Sequence, residues 1–144
     1  MTTVELLNFI VTSLSTLLSA IAIFLYIVLW YKDKTHSNYD VFDATYLDIL
    51  KTGMDNPEFR NPTYTKNYKN LADNERIRYE TYAFICWNFC ETIVDKGDKN
   101  LMKTWGVVIE AENALHRSWF DSPENKSKFK EEFITYIANN YEAV

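Results

Sequence analysis

The run LLNFIVTSLSTLLSAIAIFLYIVLWY, Leu6 to Tyr31, decides the fold. Its twenty-six residues contain no Asp, Glu, Lys, Arg or His. As an α-helix it is about 39 Å long against a hydrocarbon layer about 30 Å thick, so it spans a bilayer with tilt or overhang. A cleavable signal peptide wants a basic start, a shorter apolar core and small residues after it. Here Met1-Thr-Thr-Val-Glu5 has no Lys or Arg, and the run closes on Tyr26, Trp30 and Tyr31. Those amphipathic rings suit a membrane interface.

Cations mark the cytoplasmic flank of a span. Lys32 and Lys34 follow the run directly, whereas the N-terminal flank offers only the α-amino group and Glu5. The expected topology is a single pass through a bacterial inner membrane. Residues 1–31 form a short outer tail and the span, and residues 32–144 form a cytoplasmic domain large enough to close its own core. Cys86 and Cys90 are the only cysteines; in a reducing compartment they read as buried free thiols. The net charge of −5 argues against nonspecific duplex-DNA binding, but the charge is unevenly placed. Asp33 to Glu58 carries six acids and two lysines, and Arg60 to Arg78 carries five cations and two acids.

Three glycines and three prolines occur, at points where helices would start or stop, and no strand alternation is visible. The expected fold class is all-α: one N-terminal transmembrane helix followed by a cytoplasmic bundle of about four helices. The pattern predicts a helix from Tyr39 to Thr52 capped by Asn38 and ended by Gly53, with Phe42, Tyr46, Ile49 and Leu50 on one face, then a loop over Met54 to Asn61. Asp73 is the expected N-cap of a central helix from Asn74 to Lys96 that stops at Gly97. Asp98 caps the next helix, which carries Trp105, Ile109, His116 and Trp119. Ser122-Pro123-Glu124 opens a last helix with Phe129, Phe133, Ile134 and Ile137 on one face.

On a helical wheel, Glu5, Asn8, Thr12, Ser15, Thr16 and Ser19 fall within an arc of about 100°. The opposite side is Ile10, Leu14, Leu17, Ile21, Phe24 and Val28. Polar groups facing lipid are costly, so this side is expected to meet protein or water, most simply copies of itself. Two readings stay open. The stripe is a packing seam in which small side chains let helices approach, or it lines a pore. In the pore, Asn8, Thr12, Ser15 and Ser19 form polar rings, Ala22 and Tyr26 form a drier constriction, and Glu5 forms an outer ring favouring cations.

The segment Arg60, Tyr64, Lys66, Tyr68, Lys69, Arg76 and Arg78 interleaves cations with aromatics, as single-stranded nucleic acid or nucleotide sites do. The alternative is a solvated basic face beside an anionic membrane or an acidic neighbour. Glu112 and His116, one turn apart with Glu110 nearby, suggest a metal face or a general base. No second histidine near it, E-x-x-H or H-E-x-x-H supports that, so a hydrogen-bonded histidine is expected and no metal or cofactor. Asn88 and Glu91 sit in the most apolar helix, where a buried Glu91 would need Arg76, Arg78 or His116. A serine elbow, a phosphate-cradling glycine loop, a Cys-x-x-Cys pair and the Arg and His spacing of small helical ribonucleases are missing, and no catalytic residue is expected.

The architecture, with Tyr79-Glu-Thr-Tyr82-Ala-Phe84, Trp87-Asn-Phe89, Glu91-Thr-Ile93, Asp95, Trp105, Glu112, His116 and Trp119-Phe120, resembles the membrane effectors of Hailong anti-phage systems. The resemblance implies a tetrameric ion channel or pore held closed by a single-stranded DNA oligomer made by a partner nucleotidyltransferase. Release of the ligand during infection would open the path. It also implies that the polar stripe lines that path, and that Arg60, Lys66, Lys69, Arg76 and Arg78 with Tyr64 and Tyr68 hold the oligonucleotide. A membrane-anchored scaffold that recruits a protein partner, with no conduction, is the competing expectation.

Overall fold

The computed structural model describes residues 2–97 and 99–141, leaving out the side chains of residues 34–38. The expected caps Asn38 and Asp98, the anchoring Lys34 side chain and the Met1 amino group therefore lie outside the described residues. The fold is 90% helical with no strand among the described residues. Six α-helices are described, α1 Thr3–Asp55, α2 Pro62–Lys66, α3 Asp73–Lys96, α4 Lys99–Phe120, α5 Pro123–Lys126 and α6 Glu131–Asn140, with 3₁₀ turns at Pro57–Arg60 and Tyr68–Asn70.

By its contacts the chain forms two compact units, Met1–Phe42 and Asp43–Val144. The first is the N-terminal part of α1. Thr3–Asp33 is the one stretch among the described residues long and apolar enough to cross a membrane, and its side chains are exposed throughout. The helix does not restart at Tyr39. It continues through residues 34–41 because nothing from Lys32 to Thr52 is Pro or Gly.

The second unit is a bundle of helices packed around aromatic rings. The α1 segment from Asp43 onward places Ile49 in the core, with Tyr46 and Leu50 half-buried. α1 passes through Gly53 and ends at Asp55, so Gly53 does not stop the helix. A Cβ there would lie 2.8 Å from Tyr82 Oη, 3.0 Å from Arg60 Cγ and 3.1 Å from Arg60 Cδ. The missing side chain lets two other side chains cross the helix surface. The segment expected as a loop is ordered by its prolines: Pro57 opens a 3₁₀ turn, and Pro62 opens α2, where the Asn61 side chain accepts the Thr63 and Tyr64 N–H groups.

Ala72, rather than Asp73, is the N-cap residue of α3. Asp73 is the first helical residue, where its carboxylate faces the positive helix end and binds Arg76 at 2.8 Å. Gly97 ends α3 in the left-handed conformation, with φ of 60°. α3 is not buried on every side, although its exposed side is partly apolar. Tyr79, Tyr82, Cys86, Trp87, Cys90 and Ile93 are buried, whereas Phe84, Ile85 and Asn88 are exposed. Both cysteines are free and buried, as expected.

α4 packs along α3, with Trp87 stacked on Phe120 at 4.2 Å between centroids and Phe89 edge-on to Trp105 at 5.4 Å. Ser122 and Pro123 begin only the short α5, and the expected last helix is split. Asn125 turns inward to donate to the Trp119 carbonyl at 2.9 Å, and α6 starts after an extended Lys130. Glu91 accepts the Lys130 N–H at 2.8 Å and so caps α6 from α3. Glu91 is half-buried and needs none of the partners expected for it. Phe129, Phe133 and Ile137 still form one buried face.

Two glycine substitutions have opposite expected effects. Gly106 is inside α4, and a Cβ there meets nothing within 4 Å, so Gly106→Ala should stabilise by about 0.5–1 kcal/mol through helix propensity. Gly53→Ala has the same propensity gain but pushes on Arg60 and Tyr82, so it should destabilise by a net of about 1 kcal/mol or more. Thermal unfolding of both variants in detergent, followed by circular dichroism, checks the sign of each.

Candidate functional site

Three groups of residues carry chemistry: the polar stripe of α1, the basic segment from Arg60 to Arg78, and a sealed polar cluster around Glu112.

The stripe is held as a regular helix face. Thr12 donates to the Asn8 carbonyl at 2.8 Å, Thr16 to Thr12 at 2.8 Å and Ser19 to Ser15 at 2.9 Å. Each hydroxyl proton thus stays within its own helix. Glu5 accepts from the Thr2 N–H at 2.8 Å, which closes the helix start. The Asn8 amide has no hydrogen-bond partner among the described residues, and Tyr26 is fully outward at 70% exposure. Phe9, Thr12, Ser13, Thr16, Leu17 and Ala20 line a shallow groove along this part of the helix.

The basic segment is divided by the fold. Arg60 turns inward to Glu112. Tyr68 is buried against Tyr79 at 5.5 Å, and Tyr64 is half-buried between Phe59 and Tyr79. These rings spend their faces on the core. Arg78 is exposed, bound to the Asn56 side chain and placed over the Phe59 ring. Lys66 is exposed and has no ion pair among the described residues. Lys69 and Arg76 come together with Tyr68 in a pocket of about 320 Å³, but Glu80 and Glu124 line the same pocket and offset their charge.

The cluster around Glu112 was only half visible in the sequence. Glu112, on α4, is fully buried, and Arg60 Nη1 donates to both of its oxygens, at 2.7 and 2.9 Å. Tyr46 Oη donates to Oε1 at 3.3 Å. Arg60 also donates to Tyr82 Oη at 3.4 Å, and Tyr82 donates to the Ile49 carbonyl at 3.2 Å. His116, one turn after Glu112, is also fully buried. Its Nδ1 lies 3.1 Å from Tyr79 Oη, whereas Nε2 stands 3.4 Å from Glu112 Oε2 and makes no hydrogen bond. Cys86 Sγ, a Glu112 oxygen and a His116 nitrogen lie within 4.8 Å of one another.

The electrostatics follow from burial. Desolvation drives the Glu112 carboxyl upward, but His116 and Arg60 outweigh it and hold the group below its usual range. Burial, reinforced by the Glu112 charge, pushes Tyr46 up to about 12 and raises the Cys86 thiol well above its ordinary value. Burial raises Tyr79 and Tyr82 as well. The arrangement is an ion pair with hydroxyl neighbours, closed to solvent at Glu112 and His116. It joins α1, the Pro57–Arg60 turn, α3 and α4. The spacing of Glu112 and His116 was readable; that Arg60 would meet them was not, because Arg60 lies 52 residues before Glu112 in a segment that reads as a loop.

A carboxyl whose folded pKa is depressed contributes stability above its unfolded pKa and loses it as pH falls through the folded value. Wild-type protein should therefore lose thermal stability as pH drops below about 4.5. Glu112→Gln, which leaves Arg60 without its counter-charge, should lose about 3 kcal/mol at pH 7 and show a flatter acid limb. Melting temperatures of both proteins between pH 3 and pH 7 test this; parallel curves would mean that Glu112 does not carry the acid sensitivity.

No protein-family model, curated protein or solved structure matches the chain.

Proposed function

We propose that the protein is a single-span membrane effector of anti-phage defence in the bacterial inner membrane. Its α1 helices associate, as a tetramer, around an ion path, and its cytoplasmic bundle senses an anionic ligand. One observation carries this reading: a 31-residue apolar helix, exposed throughout, has a single polar face bearing an unpartnered Asn8 amide. In hydrocarbon an unsatisfied amide costs several kcal/mol, and the same face of another copy is the nearest source of a partner. One helix per chain encloses a path only when several copies surround an axis. The ligand implied by the resemblance is a single-stranded DNA oligomer, or another nucleotide made by a partner nucleotidyltransferase. Among the residues expected to hold it, Lys66, Lys69 and Arg78 are exposed, and Arg76 is half-buried and paired with Asp73.

A specific observation favours the second reading, a membrane-anchored scaffold that conducts nothing. The stripe hydroxyls of Thr12, Thr16 and Ser19 are satisfied within their own helix and tolerate a dry contact. Conductance separates the two. In planar bilayers the wild-type protein should carry current, and Thr12→Leu or Ser19→Leu should reduce it or alter its selectivity; a wild-type protein that is monomeric in lipid or passes no current removes the pore.

The sensing surface has its own test. Lys66→Glu with Lys69→Glu should weaken binding of a short single-stranded DNA oligomer and lower the slope of log K against log salt by about 1–2. Isothermal titration at three salt concentrations measures both, and unchanged binding would place the ligand on another face.

A further inference from the structure

We propose that Cys86 and His116 form a core site for a thiophilic monovalent cation, Cu⁺, with the Glu112 carboxylate as a third, weaker contact. The placement of donors carries the proposal. A sulfur, an imidazole nitrogen and a carboxylate oxygen lie within 4.8 Å of one another, all on fully buried residues. Taking zinc's bonds of about 2.3 Å to sulfur and 2.0–2.1 Å to nitrogen as a guide, one ion bridges donors up to about 4.4 Å apart. Closing the site needs a shift of only a few tenths of an ångström. His116 Nε2 is the second observation, since it is buried, has no hydrogen-bond partner and faces Glu112.

Tyr79 sets the other side of the imidazole. Its Oη lies 3.1 Å from Nδ1 and accepts a hydrogen bond there when the ion takes the Nε2 lone pair, so that Nε2, which faces the Glu112 carboxylate in the free protein, becomes the ligand. Metal-bound histidines are oriented by this kind of outer contact.

Charge selects the ion. Arg60 already neutralises Glu112, so the donors left to an ion are one thiolate and one neutral imidazole. On binding, the Cys86 S–H bond breaks, the proton leaves to solvent and an S–Cu bond forms, with no change of oxidation state. One positive charge replaces another. Zn²⁺ at the same place would leave an extra positive charge buried beside the Arg60 guanidinium, which is costly in a dry core. Soft sulfur donors suit Cu⁺ in any case. Cys90 serves as an internal control: it is equally buried on the same helix, but no such set of ligand donors surrounds it among the described residues.

The test uses the full chain in detergent, titrated anaerobically with Cu⁺ against a chromophoric Cu⁺ chelator and, separately, with Zn²⁺. One Cu⁺ per chain is expected, bound more tightly than Zn²⁺. Cys86→Ala should weaken Cu⁺ binding by more than about tenfold, and Cys90→Ala should leave it unchanged. Should Cys86→Ala fail to fold, the wild-type protein gives the answer: bound Cu⁺ should slow alkylation of Cys86 in mild denaturant more than that of Cys90, read by peptide mass. No uptake, tighter binding of Zn²⁺, equal loss in both variants, or equal protection of both thiols would overturn the site.

Discussion

A carboxylate placed where no water reaches must be met by charge, and the second unit is arranged around the place where Glu112 is met by Arg60. Burying Glu112 alone would cost several kcal/mol or force the group to take up a proton. The guanidinium that prevents this comes from the short Pro57–Arg60 turn and passes over α1 at the one position, Gly53, that has no side chain. Tyr46 and Tyr82 then give the ion pair hydroxyl neighbours from two helices. Replacing such a pair by apolar groups is often neutral for stability. The network therefore bears on which segments meet, since the observed placement of the turn satisfies both Arg60 and Glu112.

The N-terminal unit has the length and composition that suit a different solvent. Its large apolar side chains stand exposed on all but one face, a pattern that water penalises and hydrocarbon does not. Back-bonded hydroxyls make Ser and Thr tolerable in such a helix, so the polar stripe alone does not demand a channel. Asn8 differs in kind. A primary amide has two donors and an acceptor that its own helix leaves unused, and that sets a need for contact which Thr12 or Ser19 does not.

What the sequence made legible was local chemistry. The uncharged run from Leu6 to Tyr31 and the Gly97 stop each act within a few residues, and each was found; the Ser122-Pro123 start was found too, but it opens only the short α5. What it concealed was set at a distance. Whether Gly53 ends a helix or admits Arg60 depends on a side chain seven positions later in sequence. Glu91 and Glu112 both lie among apolar residues, and only packing decides that Glu91 caps α6 while Glu112 goes inside. The break expected before Tyr39 failed for a simpler reason: a polar stretch without Pro or Gly does not interrupt a helix. The candidate ligand residues were readable as a basic segment, but the share of them turned inward was not, because inward and outward arginines look alike in a list.

That division bears on how a ligand could control the protein. Moving a two-state equilibrium from 1:99 to 99:1 takes about 5.5 kcal/mol of differential affinity. In one chain the fold spends Arg60 on Glu112, pairs Arg76 with Asp73 and offsets Lys69 with Glu80 and Glu124 in their pocket. An exposed charge contact contributes on the order of 1 kcal/mol or less, so a single chain falls short. On the proposed reading, an extended anionic ligand held by several copies at once would close the gap, since each further contact would be made at high effective concentration. On that reading, association through α1 and sensing through the bundle would not be separate properties: without the first, the second would lack the energy to hold a state.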